Sequence, residues 1–111
     1  MSDDRIPTEL WVEGHLRRLN AEGIPYYITH KGAYAGGLVL LKINTIEKGC
    51  LLLVQQRDFE TNKLGWVNAL AEELVEESRA DEYIQRSIQR DPDLWVIEVE
   101  DRNKQNPFQQ G

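Results

Sequence analysis

The side chains that most often act as nucleophile or general base are few in this chain. They are His15, His30, Cys50 and the serines Ser2, Ser78 and Ser87. A serine hydrolase places its serine on a tight strand-to-helix elbow. Ser2 is at the chain start, Ser78 stands where a helix cap is expected and Ser87 falls inside a helical pattern. Cys50 and His30 would form a nucleophilic pair if their strands were neighbours. Cys50 however opens the apolar run Cys50 to Val54, where cysteine behaves as a small hydrophobe rather than a thiolate. A zinc site would need His15, His30 and a carboxylate to converge, and the chain has no paired cysteines or His-Glu-x-x-His motif. The sequence therefore assigns no catalytic residue, no metal ligand set and no cofactor.

Two further patterns have a chemical and a bland reading. Pro92-Asp93 followed by Glu98-Val99-Glu100 superficially resembles a metal-dependent nuclease motif. Its spacing is too short, and an acidic edge strand that resists edge-to-edge pairing is the simpler account. Gly32, Gly36 and Gly37 could offer backbone amides to a phosphate. The turn joins two strands and lacks a helix dipole behind it, so a hairpin turn is the favoured reading.

The best candidate surface is a helix ridge. Trp11, His15 and Arg18 recur at i, i+4 and i+7 beside an apolar stripe. Trp and Arg are enriched at binding hot spots. The bland alternative is a half-buried Trp11 covering the core edge with Arg18 lying over it. A second set, His30, Arg57 and Asp58, would matter if His15 or His30 met Arg57 or Asp58 in one cleft. Trp66, Tyr83 and Trp95 read as core.

The elements that must position these residues follow from periodicity. Val12, Leu16 and Leu19 mark a first helix, capped by Thr8 and ended by Gly23 and Pro25. Ile24 to His30, Leu38 to Asn44, Cys50 to Arg57 and Leu64 to Asn68 read as strands with short connections, which favour antiparallel pairing. Residues 69–77 are ambiguous. Ser78, with Asp81 three residues later, looks like a capping box for a second helix carrying Ala80, Tyr83, Ile84 and Ile88 on one face. Asp91-Pro92 stops it, and Leu94 to Glu100 alternates as a last strand. The order α-β-β-β-β-α-β implies an α+β fold: an antiparallel meander of about five strands with two main helices on one side. Leu38 to Asn44 and Cys50 to Arg57 are apolar on both faces, so the sheet face that the helices leave bare needs a cover: the acidic segment near Leu74, the tail, a ligand or another subunit, as in a homodimer.

Length and charge bound the rest. The chain has 111 residues and a formal net charge of −6. One domain over 5–102 is expected, followed by a polar, mobile tail over 103–111. The acidic balance disfavours nucleic acid and anionic membranes, since binding to both is driven by basic side chains. The apolar runs are too short to span a bilayer. A single cysteine and no secretory signal fit a cytoplasmic protein.

Pro7-Thr8-Glu9-Leu10-Trp11-Val12, then His15-Leu16-Arg17-Arg18 and Asn20-Ala21-Glu22-Gly23-Ile24-Pro25, form one distinctive motif. Asp91-Pro92-Asp93-Leu94-Trp95-Val96, running on to Glu98-Val99-Glu100-Asp101-Arg102, forms another. Together they resemble a small bacterial family of alphaproteobacterial type, domain of unknown function number fourteen ninety-one. The likeness runs from Arg5 to about Phe108, and its middle rests mainly on strand pattern. The family carries an acidic residue after the first glycine of the turn, where this chain has Ala33. The resemblance implies a bacterial cytoplasmic protein with no assigned activity, and it supplies no catalytic residues. Three readings stand: a non-enzymatic protein-interaction module, a small hydrolase or nuclease-like enzyme, and a small-molecule-binding domain using the apolar sheet face.

Overall fold

The computed structural model describes residues 6–108. Helix α1 spans Thr8–Ala21 and buries Val12, Leu16 and Leu19. Thr8 is not its side-chain cap: Pro7 holds the N-cap position, and Thr8 Oγ1 donates to the Gly37 carbonyl at 3.3 Å. The backbone amides of Thr8 and Glu9 instead donate to the carbonyls of Ala35 and Tyr34. At the other end Gly23 adopts φ +74° and the Ile24 amide donates to the Leu19 carbonyl at 2.9 Å. Glycine takes this left-handed conformation without a Cβ penalty, which turns the chain out of the helix.

The strands are β1 (Tyr26–His30), β2 (Val39–Asn44), β3 (Cys50–Arg57), β4 (Leu64–Asn68) and β5 (Trp95–Glu100). Helix α2, Glu77–Arg90, lies between β4 and β5 in sequence. It begins at Glu77 with no side-chain cap, so Ser78 sits inside the first turn rather than capping it. Residues 69–76 are not helical. Val75 instead pairs with Cys50 through two backbone hydrogen bonds.

The sheet order is β1-β5-β2-β3-β4. The α+β class with two helices and five strands stands, but the antiparallel meander does not. β5 lies parallel to β2, with Leu40 opposite Val96 and Lys42 opposite Glu98, and antiparallel to β1. The sheet is therefore mixed. β5 is also central, so Glu98 and Glu100 do not protect an edge. The glycine turn is a connection between strands that β5 separates, not a hairpin.

The helices cover opposite faces, which corrects the one-sided arrangement. α1 packs on Val39, Leu41, Ile43, Leu51, Trp95, Ile97 and Val99. α2 places Ala80 and Ile84 on Leu40, Leu52, Leu94 and Val96. This is why β2 and the start of β3 are apolar on both faces: successive side chains point to opposite sides, and each side has its own core, with Leu41, Ile43 and Leu51 in one and Leu40, Cys50 and Leu52 in the other. The uncovered face that called for a homodimer is occupied by α2.

Candidate functional site

The ridge residues are together, but they face inward to a segment of the same chain. Phe108 is 3% exposed and stacks on Trp11 with ring centroids 5.7 Å apart. It also lies 5.3 Å from the His15 ring and 6.1 Å from that of Trp66. Such aromatic pairs contribute about 0.5–1.5 kcal/mol each beyond area burial. Arg18 donates to the Pro107 carbonyl and to His15 Nδ1, and forms an ion pair with Glu22 at 3.3 Å. Phe108 belongs to the stretch expected to be mobile, yet it is a core residue.

These surroundings disfavour a charge on His15. Burial and the neighbouring Arg18 charge both lower its pKa below the ordinary histidine value. Its Nδ1 accepts from Arg18, so that nitrogen is not free to take up a proton.

His30, Arg57 and Asp58 do not converge. His30 ends β1, at one edge of the sheet, and its Nδ1 donates to the Leu94 carbonyl at 2.7 Å. Arg57 and Asp58 are at the opposite edge, where β3 turns into β4. The Asp58 carboxylate accepts from the amides of Glu60 and Thr61, and these bonds lower its pKa. His30 and Cys50 lie on β1 and β3, which are not neighbours. Burial, with the carboxylates of Glu77, Glu98 and Asp81 adding to it and Lys42 opposing, pushes the Cys50 thiol up to about 11. A thiol of that kind is protonated and unreactive at neutral pH. Among the described residues, no three His, Cys, Asp or Glu side chains are grouped to hold a metal ion.

What the fold does create is a pair of adjoining hollows between α1 and the β3–β4 edge. One, of about 300 Å³, is lined by Trp11, Gly36, Gly37, Leu38, Arg57 and Leu64, among others. The second, of about 360 Å³, reaches His15, Trp66 and Phe108. Trp11, Leu64 and Gln55 line both. Alternation along β3 puts Gln55 and Arg57 on the α1 face, opposite Trp66 and Leu64 of β4. Gln55 is 5% exposed and its Nε2 has no hydrogen-bond partner. Leaving such a donor unsatisfied costs about 1–3 kcal/mol. The sequence reading passed over Gln55; its signal was a polar residue following the apolar run Cys50 to Val54 on the same strand.

The glycine turn forms the rim of the first hollow. A Cβ at Gly32 would run into the Asp93 carbonyl and the Trp95 ring, and one at Gly37 into the same carbonyl. Trp95 Nε1 donates to the Ala33 carbonyl at 2.8 Å, and the Ala33 amide donates to Asp93. The turn is thus clamped to the start of β5 while its carbonyls receive the start of α1.

Lys42 is the other residue missed. It is 3% exposed on the α2 face and reaches Glu77 and Asp81 at 2.8 Å and Glu98 at 3.5 Å. Burial pulls its pKa down, but the hydrogen bonds to Asp81 and Glu77 and the Glu98 charge outweigh it and hold it above the ordinary lysine value. It fastens α2 to the sheet and does not face the hollows.

The model of a family described as "Protein of unknown function (DUF1491)" matches residues 6–109. The chain belongs to the DUF1491 family. The crystal structure of a DUF1491 family protein from Caulobacter crescentus is 28% identical, with a TM-score of 0.78 and 94% of each chain covered. An NMR structure of a DUF1491 protein from the same organism is 26% identical, covering 95% of this chain and 94% of that one, with a TM-score of 0.77. A solution structure of a protein from A. tumefaciens, 24% identical over 86% of each chain at a TM-score of 0.70, shares the fold. No curated protein matches the chain. The DUF1491 description names no activity. Among the described residues of this DUF1491 chain, no helix is long and apolar enough to cross a membrane.

Proposed function

We propose that this DUF1491 domain is a non-enzymatic module that binds a partner polypeptide in the hollows between α1 and the β3–β4 edge. One observation carries the reading: the exposed side chains of Ile6, Leu10, Leu38 and Leu64 gather around half-buried Trp11. Clustered apolar exposure of this kind marks interaction sites, whereas scattered single residues do not. Of the ridge, Trp11 meets the partner, while His15 and Arg18 hold Phe108 and Pro107 in place behind it. His30 and Asp58 have no part in the site. The enzyme reading is weaker, because Arg18 occupies His15 Nδ1 and His30 lies at the opposite sheet edge from Arg57 and Asp58. The cytoplasm of a bacterium suits the acidic charge and the buried thiol.

The test is a selection of displayed linear peptides against the wild-type chain, counter-selected on Leu64→Asp and Leu38→Asp. Both substitutions are at exposed positions, and circular dichroism verifies their folding. Peptides enriched on wild type and lost on both variants support the reading. Enrichment indifferent to both variants overturns it. Sedimentation over a range of concentrations tells whether a second copy of the chain occupies the same surface instead.

A further inference from the structure

We propose that the first hollow recognises the terminal carboxylate of a partner polypeptide whose last side chain is apolar; this rests on the binding reading above and deepens it. Gln55 supplies the first argument. It is more than nine-tenths buried, lines both hollows and holds a donor, Nε2, with no acceptor. The terminal torsion of Gln has broad minima, so a modest rotation turns Nε2 toward a ligand.

Arg57 supplies the second. It shares the wall with Gln55, two residues along the same strand face. One of its nitrogens, Nη1, donates to the Asn62 carbonyl at 2.6 Å, which steadies the guanidinium against the β3–β4 loop. Among the described residues it forms no ion pair, although the chain is strongly acidic. A guanidinium fork matches a carboxylate in geometry and charge.

The rim supplies the third. The backbone amides of Gly36 and Gly37 donate to no backbone acceptor among the described residues. Backbone amides presented by a glycine turn are a recurring way of capturing a chain-terminal carboxylate. Around these polar groups the wall is Ile6, Trp11, Leu38 and Leu64, which suits an apolar side chain and not a hydrated phosphate.

The probes are N-acetyl-L-phenylalanine, its carboxamide, and inorganic phosphate, titrated into the full chain and followed by amide NMR. The acid should shift the Gly36 and Gly37 amides and the Gln55 side-chain amide saturably, with a Kd on the order of 1 mM. The carboxamide should bind at least about fivefold more weakly, and Arg57→Gln and Gln55→Leu should each lose most of the acid's response. Equal binding of acid and carboxamide would overturn carboxylate recognition yet leave the polypeptide-binding reading intact. So would a response to phosphate as strong as to the acid, which marks a simple anion site. No response to the acid at about ten times that Kd overturns the proposal. The peptide selection still decides the broader reading separately.

Discussion

Lys42 Nζ on β2 and Asp81 Oδ1 on α2 meet at 2.8 Å, joining the sheet to the helix through a nearly buried cation. Glu77 and Glu98 complete its shell. The apolar contacts of Ala80 and Ile84 drive α2 onto the sheet. The ion cluster fixes where along the strands it settles.

Lys42→Met keeps most of the volume and leaves three carboxylates facing one another. Glu77 and Asp81 are exposed enough to rehydrate, so the loss should be about 1–3 kcal/mol, short of the figure for a fully buried broken pair. Urea denaturation reads it. A variant as stable as wild type would show the cluster to be energetically neutral. The pH dependence has a definite sign. A lysine whose folded pKa is raised contributes stability that is complete below its unfolded value, about 10.4, and is lost as pH rises through the folded value. Wild type should therefore weaken in strong alkali more steeply than Lys42→Met.

His15 carries the opposite dependence. Its folded pKa is lowered, first by burial and then by Arg18. The unfolded chain takes up the proton more readily, so stability is complete above about pH 6.5 and declines as pH falls below it toward the folded value. His15→Gln should flatten this part of the stability profile between about pH 7 and 5. Identical profiles for the two proteins would show that His15 titrates as it does in the unfolded chain.

Phe108→Ala removes a core aromatic from beneath Trp11 and Trp66. A loss of about 3–5 kcal/mol is expected from cavity formation and forfeited packing. Tryptophan fluorescence should shift red as both rings gain water. A loss below about 1 kcal/mol would mean that the segment ending at Phe108 is not docked in solution.

Gly32→Ala should destabilise by about 1–3 kcal/mol, because the new Cβ meets the backbone of Asp93, which cannot swing away. Gly14→Ala is the matched control. Its Cβ meets nothing within 4 Å, and removing a glycine from a helix interior should stabilise by about 0.5–1 kcal/mol. Thermal unfolding of the pair separates the steric effect from the general one. Equal shifts would remove the account of the turn as a clamp.

Much of the local structure was legible because it depends on near neighbours. The Val12, Leu16, Leu19 stripe predicts the buried face of α1, and Gly23 with Pro25 predicts its end, since both act through the conformations available to single residues. The Ser78 cap misleads because Asp81, the other half of the box, is engaged by Lys42 across the fold. Thr8 misleads likewise, because its hydroxyl finds the Gly37 carbonyl instead.

The candidate site was legible only in fragments. Trp11, His15 and Arg18 share a helix face by spacing alone. That Phe108 and Pro107 close over them depends on a contact between the two ends of the domain, and a polar stretch without periodicity gives no hint of it. Lys42 interrupts an apolar strand and Gln55 follows an apolar run. That signal marks a buried polar group but not its partner.

By itself, then, the sequence determined the elements, which residues are apolar enough to be buried, the acidic balance and the likeness to DUF1491. Only the tertiary structure decided the strand order and the sides the helices take. Backbone pairing offers nearly the same hydrogen bonds to any two strands, so periodicity says that a face is buried without saying against what. Placing β5 between β1 and β2 put Glu98 against Lys42, made room for α2 on the second face and left Gln55, Arg57 and Trp11 around one hollow.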